Sequence, residues 1–266
     1  MIHFSKVVLV VLLLFPLGAA HRGRSGGDDL QSDGGRNCSS RQKLVVNSHV
    51  DYAQAVSKLV ESLERVNFTL WGDVVVFRGG AEQNSRPQTD ARGITYVNLT
   101  INSYDFNALS GLYQYRHEPS VCAHSYLYIL DTVEFGEYFP QAFDELRLEP
   151  GEQLMSPRPN SNILAFDHGL VGKYGTNFDR AVTKQEAVQI ETGALPLPGV
   201  HRLEHFAAKV TMTVNREEQG HVDLYHTGHP RTKFYYPSFG IYKYILWDQM
   251  GDLGGDGEVK PIYPPR

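Results

Sequence analysis

Residues 122–133 read C-A-H-S-Y-L-Y-I-L-D-T-V. The middle of this stretch, Tyr126-Leu127-Tyr128-Ile129-Leu130, is a short run of aromatic and branched apolar side chains, the pattern of a strand buried on both faces rather than one. Asp131 then stands where a core strand would end. In an open α/β sheet ligands bind at the carboxyl ends of the strands, so a carboxylate in that place is either a ligand contact or a cap on the following turn.

Working outward, Lys43-Leu44-Val45-Val46 is a second apolar run, and it ends in the polar group Asn47-Ser48-His49. Tyr52, Ala55, Val56, Leu59, Val60 and Leu63 follow at three- and four-residue spacing, as on one face of an amphipathic helix. Asp73-Val74-Val75-Val76-Phe77 predicts another strand, stopped by Arg78-Gly79-Gly80, and the polar segment 81–92 reads as an exposed loop. Residues 94–101 predict a further strand. Asn102 to Phe106 then lead into a helix carrying Leu109, Leu112 and Tyr113, after which comes the stretch quoted above. Strands alternating with helices predict an α/β fold, with a mostly parallel central sheet, right-handed crossovers and helices on both faces. On that reading Asn47, Ser48, His49, Gly79, Gly80 and Asp131 collect at one edge of the sheet.

Composition narrows the function. A hydrophobic content of 41% with 21% charged residues is that of a globular chain with a real core. A net charge of -5 provides no basic footprint for nucleic acid. Neither G-x-G-x-x-G after the first strand nor G-x-x-x-x-G-K-[ST] occurs, which removes dinucleotide-binding and P-loop readings. The one G-x-S-x-G string, Gly23 to Gly27, falls in a Gly-rich charged segment with no strand before it and no helix after it, so serine hydrolase chemistry has no nucleophile elbow.

At the amino terminus Lys6 precedes an apolar run through Leu14, and Gly18-Ala19-Ala20 closes it, as in a secretory signal peptide. The run is short for a membrane span, which needs about 20 apolar residues. Residues 1–20 are therefore expected to be a signal peptide, or else a short signal anchor that tethers the chain to a membrane. Residues 21–42, Gly-rich and charged, are expected to be a flexible segment, and 43–266 a single α/β domain. The destination is the secretory pathway, either secretion or the Golgi or ER lumen. Cys38 and Cys122 are the two cysteines. In an oxidising compartment they read as one disulfide, the alternative being two thiols. Asn37-Cys38-Ser39, Asn67-Phe68-Thr69 and Asn98-Leu99-Thr100 are sequons of a glycoprotein, although Asn98 falls inside an expected strand.

The series Leu44-Val45-Val46-Asn47-Ser48-His49, then Leu59-Val60-Glu61-Ser62-Leu63, then Val74-Val75-Val76-Phe77 with its Gly-Gly, then Leu130-Asp131-Thr132, resembles the nucleotide-binding half of GT-A type glycosyltransferases, from about residue 44 to 139. The resemblance implies a nucleotide-sugar donor and a glycan or glycoprotein acceptor. It also implies a divalent metal, Mn2+ or Mg2+, held at this strand end by an Asp-x-Asp motif. Val133 stands here in the place of the second Asp. By the same resemblance Asn47, Ser48, His49, Gly79, Gly80 and Asp131 would bind the donor, and Asp131, Glu134, His226 and His229 are the candidate metal ligands.

In the second half, Ile163-Leu164-Ala165-Phe166 predicts a strand and Thr183-Lys184-Gln185-Glu186 a capping box. The cluster Asp223 to His229 reads either as surface histidines or as metal ligands. Arg231 and Lys233, with Phe234-Tyr235-Tyr236 and then Tyr242-Lys243-Tyr244, are cations on an aromatic-rich segment. They suit phosphate neutralisation or sugar stacking, or else the water-facing charges of an edge strand. An inverting transfer needs a carboxylate base, for which Asp167 and Glu186 are both available. Two rival readings stay open: a carbohydrate-binding module on an inactive GT-A-like fold, and a glycoside hydrolase, which requires two carboxylates across a sugar site.

Overall fold

The computed structural model describes residues 38–68, 71–148, 153–155, 163–172, 181, 183–186, 213–214, 231–236 and 239–246. The expected leader, most of the segment 21–42, and His226 and His229 lie outside them.

Alternation of apolar runs and amphipathic stretches produces the expected α/β order. Strand β1 (Ser40–His49) is followed by helix α1 (Ala53–Arg65), then by strands β2 (Val74–Gly79), β3 (Gln88–Thr89) and β4 (Thr95–Asn98). Helix α2 (Asn107–Tyr115) leads into β5 (Ala123–Leu130), which contains the apolar run 126–130. The chain continues through β6 (Val133–Phe135), α3 (Phe139–Glu145), β7 (Gln153–Met155), β8 (Leu164–Asp167), β9 (Thr213–Val214), β10 (Arg231–Tyr236) and β11 (Ile241–Leu246).

Among the described residues, seven strands form the central sheet in the order β3-β4-β2-β1-β5-β8-β7. The inner four, β4-β2-β1-β5, are parallel, whereas β3, β8 and β7 pair antiparallel at the flanks. Because side chains alternate along a strand, the two faces of the sheet build two cores. Leu44, Val46, Val76, Leu127 and Ile129 pack with Val56, Leu59, Val60 and Leu63 of α1 and with Phe139 and Phe143 of α3. Val45, Val75, Phe77, Tyr126 and Tyr128 pack with Ala108, Leu109 and Leu112 of α2. Helices therefore cover both faces, which is why the parallel strands read as continuous apolar runs.

Strand β1 begins at Ser40, before the first apolar residue of the run at 43–46. The reason is covalent: Cys38 is joined to Cys122 by a disulfide, with Cα atoms 5.2 Å apart, and Ser40 then pairs with Ala123. Lys43 is buried within β1. Its ammonium reaches the amino edge of the sheet, donating to the Gly72 carbonyl at 2.7 Å with the Asp73 carboxylate 3.6 Å away. Beside the disulfide, the buried His168 Nδ1 lies 2.9 Å from the Tyr126 hydroxyl, which accepts from the Ala123 N–H at 3.0 Å. Burial lowers the His168 pKa below the ordinary imidazole value and raises that of the Tyr126 phenol. Of the sequons, Asn67 is exposed in a left-handed turn, and Asn98 is half-buried in β4.

A second, all-antiparallel sheet has the order β6-β11-β10-β9. Two residues, Asp131 and Thr132, separate the end of β5 from the start of this sheet's strand β6, so the chain leaves one sheet and enters the other across them.

Two consequences are measurable. Replacing Cys38 and Cys122 with Ser releases a constraint spanning 84 residues, and the chain-entropy model then gives a loss of about 4–5 kcal/mol, to be read from denaturant unfolding of the two proteins. The second concerns pH. Since the folded pKa of His168 lies below the unfolded one, the unfolded chain takes up the proton first. The stability from burying neutral His168 is full above the ordinary value of 6.5 and is lost as pH falls from there towards the folded-state value. His168→Gln should flatten that acid slope in urea titrations at stepped pH, whereas an unchanged slope would mean that His168 is protonated without cost.

Candidate functional site at the carboxyl ends of the parallel strands

Parallel register fixes which residues share an edge. Asn47 stands opposite Phe77 and Leu130, Ser48 opposite Arg78, and His49 opposite Gly79. The expected group at 47–49, 79–80 and 131 is thus brought to one edge, as the parallel topology requires.

Asp131 is the pivot of that edge. Its backbone N–H donates to the Asn47 carbonyl at 3.0 Å, extending the β1–β5 ladder by one residue, while the next carbonyl, Thr132, already accepts from Tyr244 of β11 at 2.9 Å. The Asp131 side chain is only 5% exposed. A buried carboxylate needs strong donors, and Oδ2 receives the Ser48 hydroxyl at 2.6 Å.

The neighbouring residues divide into those that build the edge and those that present chemistry. Asn47 builds: its Nδ2 donates to the Tyr104 carbonyl at 3.0 Å, and its Oδ1 accepts the Ala108 N–H of α2 at 2.8 Å. Asn107 ties α2 back to β1 by donating to the Ser48 carbonyl at 3.2 Å and accepting from the Ser103 N–H. Gly79 leaves room for that side chain, since a Cβ there would lie 2.2 Å from Asn107 Nδ2. Gly80 has φ +77°, and a Cβ on it would meet His49 Nε2 at 2.1 Å. His49 caps its turn by accepting the Asp51 N–H on Nδ1 at 3.2 Å, and its Nε2 lies 3.3 Å from Asn102 Nδ2.

Arg78 and Tyr104 stand at this edge without being among the expected ligand contacts, whereas Lys243 is one of the cations expected either to meet phosphate or to face water. Arg78, opposite Ser48, holds its guanidinium 5.2 Å from the Tyr96 ring centroid. Tyr104 is 41% exposed and adopts φ +52°, a conformation that costs a non-glycine residue about 1 kcal/mol or more. Only the sequence neighbourhood of the α2 start, Asn102-Ser103-Tyr104, hinted at it. Lys243 reaches in from the second sheet, and its ammonium donates to Thr132 Oγ1 at 2.6 Å. Because β11 is paired on both sides, by β10 and β6, Lys243 does not belong to an edge strand facing water.

The other expected site residues lie elsewhere or are engaged. Asp167 stands opposite Ser125, near the amino end of β5, about 20 Å along the strand from Asp131 at the usual rise per residue. Strand β8 runs antiparallel, so its carboxyl end falls at the opposite edge, where Asp167 Oδ1 caps a short turn by accepting from the Gly169 N–H at 2.8 Å. Glu186 closes the capping box: its carboxylate accepts the Thr183 N–H at 2.9 Å, and its own N–H donates to Thr183 Oγ1 at 3.1 Å. Glu134 Oε1 accepts from Arg65 and its Oε2 accepts from the Tyr244 hydroxyl at 2.5 Å, joining α1, β6 and β11. Arg231 and Lys233 lie on β10, opposite Leu246 and Tyr244. Among the described residues the three-ligand grouping of His, Cys, Asp or Glu is Cys38, Cys122 and His168, whose sulfurs form the disulfide. It does not include Asp131.

No protein-family model matches the sequence, and no curated protein is significantly similar to it. Among solved structures, the apo form of the glycosyltransferase GlyE from Streptococcus pneumoniae TIGR4 has a TM-score of 0.35 at 16% identity, covering 61% of this chain and 41% of that one. A second GlyE structure has a TM-score of 0.35 at 14% identity, covering 57% and 44%. The chain spans less than half the length of these proteins. At this score the likeness carries no argument, and the α/β architecture is defined by the strand order and register.

The packing of the edge is open to test. Gly79→Ala should destabilise the protein by about 1–3 kcal/mol, because Asn107 is buried and hydrogen-bonded and cannot yield without loss. Gly72→Ala, with nothing within 4 Å of the added carbon, should stay within about 0.5 kcal/mol of wild type. Equal unfolding midpoints for the two variants would contradict the contact.

Proposed function

We propose that this chain is a glycosyltransferase-like protein of the secretory pathway, which takes a nucleotide sugar at the Asp131 edge and passes the sugar to a glycan or glycoprotein acceptor. The observation that carries the reading is the hand-over at Asp131 and Thr132. One ladder ends there and the other begins, at the carboxyl edge where open α/β sheets bind their ligands. An ionised carboxylate is an acceptor-only group. Held by Ser48, Asp131 suits the hydroxyls of a ribose or sugar ring.

One observation favours a second reading, a carbohydrate-binding module without turnover. Asp167 and Glu186, the carboxylates available as a base, each serve a local cap, and Asp167 sits at the far edge of the sheet. Sugar-nucleotide affinity separates the two readings, because a module that recognises glycans alone has no use for the nucleotide.

The test is a thermal-shift panel of nucleotide sugars, followed by calorimetric titration of wild type and Asp131→Asn. Removing one charged hydrogen-bonding group from the site should weaken binding by about ten- to a hundredfold, with circular dichroism unchanged. Equal affinity in both proteins would take Asp131 out of the site.

A further inference from the structure

Among the described residues, which do not include His226 and His229, the side chains at this strand end do not fit the divalent cation implied by the GT-A resemblance. Mn2+ and Mg2+ take oxygen ligands, with one or two carboxylates completed by water and phosphate. Val133, in the place of a second acid, is buried and apolar. Glu134, the next acid along, is engaged through Oε1 by Arg65 and through Oε2 by Tyr244. Asp131 Oδ2 is held by Ser48. The group that faces this turn from the second sheet is itself a cation. In the β6–β11 register Lys243 stands opposite Val133, is only 2% exposed, and donates through Nζ to Thr132 Oγ1 at 2.6 Å. An ammonium at that depth needs polar or oppositely charged surroundings. Lodged one residue from Asp131, it opposes the entry of a second cation.

We propose that Lys243 supplies, from the chain itself, the positive charge that a metal would bring to this edge, so that a nucleoside diphosphate binds here without a divalent cation. The inference rests on the nucleotide-sugar reading and adds its charge chemistry. Two features make the ammonium an effective substitute. Lysine is a compact point charge of the kind that serves phosphates. Its strand is paired on both sides, so the charge is in place beforehand and costs no reorganisation when the ligand binds.

The experiment is isothermal titration of the full chain with UDP and with GDP, each in EDTA and each with Mn2+, on wild type, Lys243→Met and Lys243→Arg. The expected result is that at least one nucleoside diphosphate binds wild type equally well in EDTA and in Mn2+. Lys243→Met should weaken that binding by on the order of a hundredfold, and Lys243→Arg, which keeps the charge, should recover most of it. Binding that appears only with Mn2+ overturns the proposal while leaving the nucleotide-sugar reading standing. Wild-type affinity in folded Lys243→Met overturns it as well. If neither UDP nor GDP binds wild type under either condition, the nucleotide-sugar reading falls and the proposal with it. Should Lys243→Met fail to fold, the wild-type comparison of EDTA with Mn2+ still decides.

Discussion

Parallel pairing of β1 with β5 is the constraint on which the rest depends. Parallel strands cannot be joined by a hairpin, so each must return through a crossover, and α1 and α2 supply that cover on opposite faces of the sheet. Pairing also aligns the strand ends. With Asn47 opposite both Phe77 and Leu130, the polar residues that terminate three apolar runs arrive together. The Cys38–Cys122 disulfide fixes the same pair of strands at the other end. The β1–β5 register is therefore anchored covalently at its amino end and by the Asp131-to-Asn47 hydrogen bond at its carboxyl end.

Buried charge marks both edges of the sheet, with different chemistry at each. At the amino edge Lys43 is answered by a carbonyl and a carboxylate, and burial still lowers its pKa. That is the behaviour of a structural lysine. At the carboxyl edge Asp131 and Lys243 are both nearly inaccessible, and Ser48 and Thr132 meet their charged atoms directly. Polar groups placed so deep are tolerated where hydrogen bonds compensate their desolvation. Their presence at the junction of two sheets gives this edge a chemistry that an apolar junction would lack.

Much of the edge proves to be scaffold. Asn47, Gly79 and Gly80, which the sequence offers as ligand contacts, have complete local explanations in the docking of α2 and the clearance of Asn107 and His49. Ser48 and Asp131 meet each other directly, hydroxyl to carboxylate, across β1 and the end of β5. Tyr104, whose carbonyl accepts from Asn47, adopts a left-handed conformation and carries local strain that its surroundings must support.

Legibility followed the range of the interactions. Strand and helix alternation, both faces of the sheet and the clustering of strand ends are consequences of side-chain periodicity, which is local, and they stood in the apolar runs and the spacing of Leu59, Val60 and Leu63. The capping box at Thr183 and Glu186 was legible for the same reason, since its partners are three residues apart. The antiparallel course of β8, which carries Asp167 to the opposite edge from Asp131, was not legible, because strand direction is set by pairing and not by composition. Nor was the burial of Lys243. Its partner Thr132 lies 111 residues away, and a lysine between two tyrosines looks the same in an edge strand as in an inner one. The sequence by itself determined which residues could end a strand together; only the tertiary structure decided which charge meets which, because a register between distant strands leaves no periodic trace in either of them.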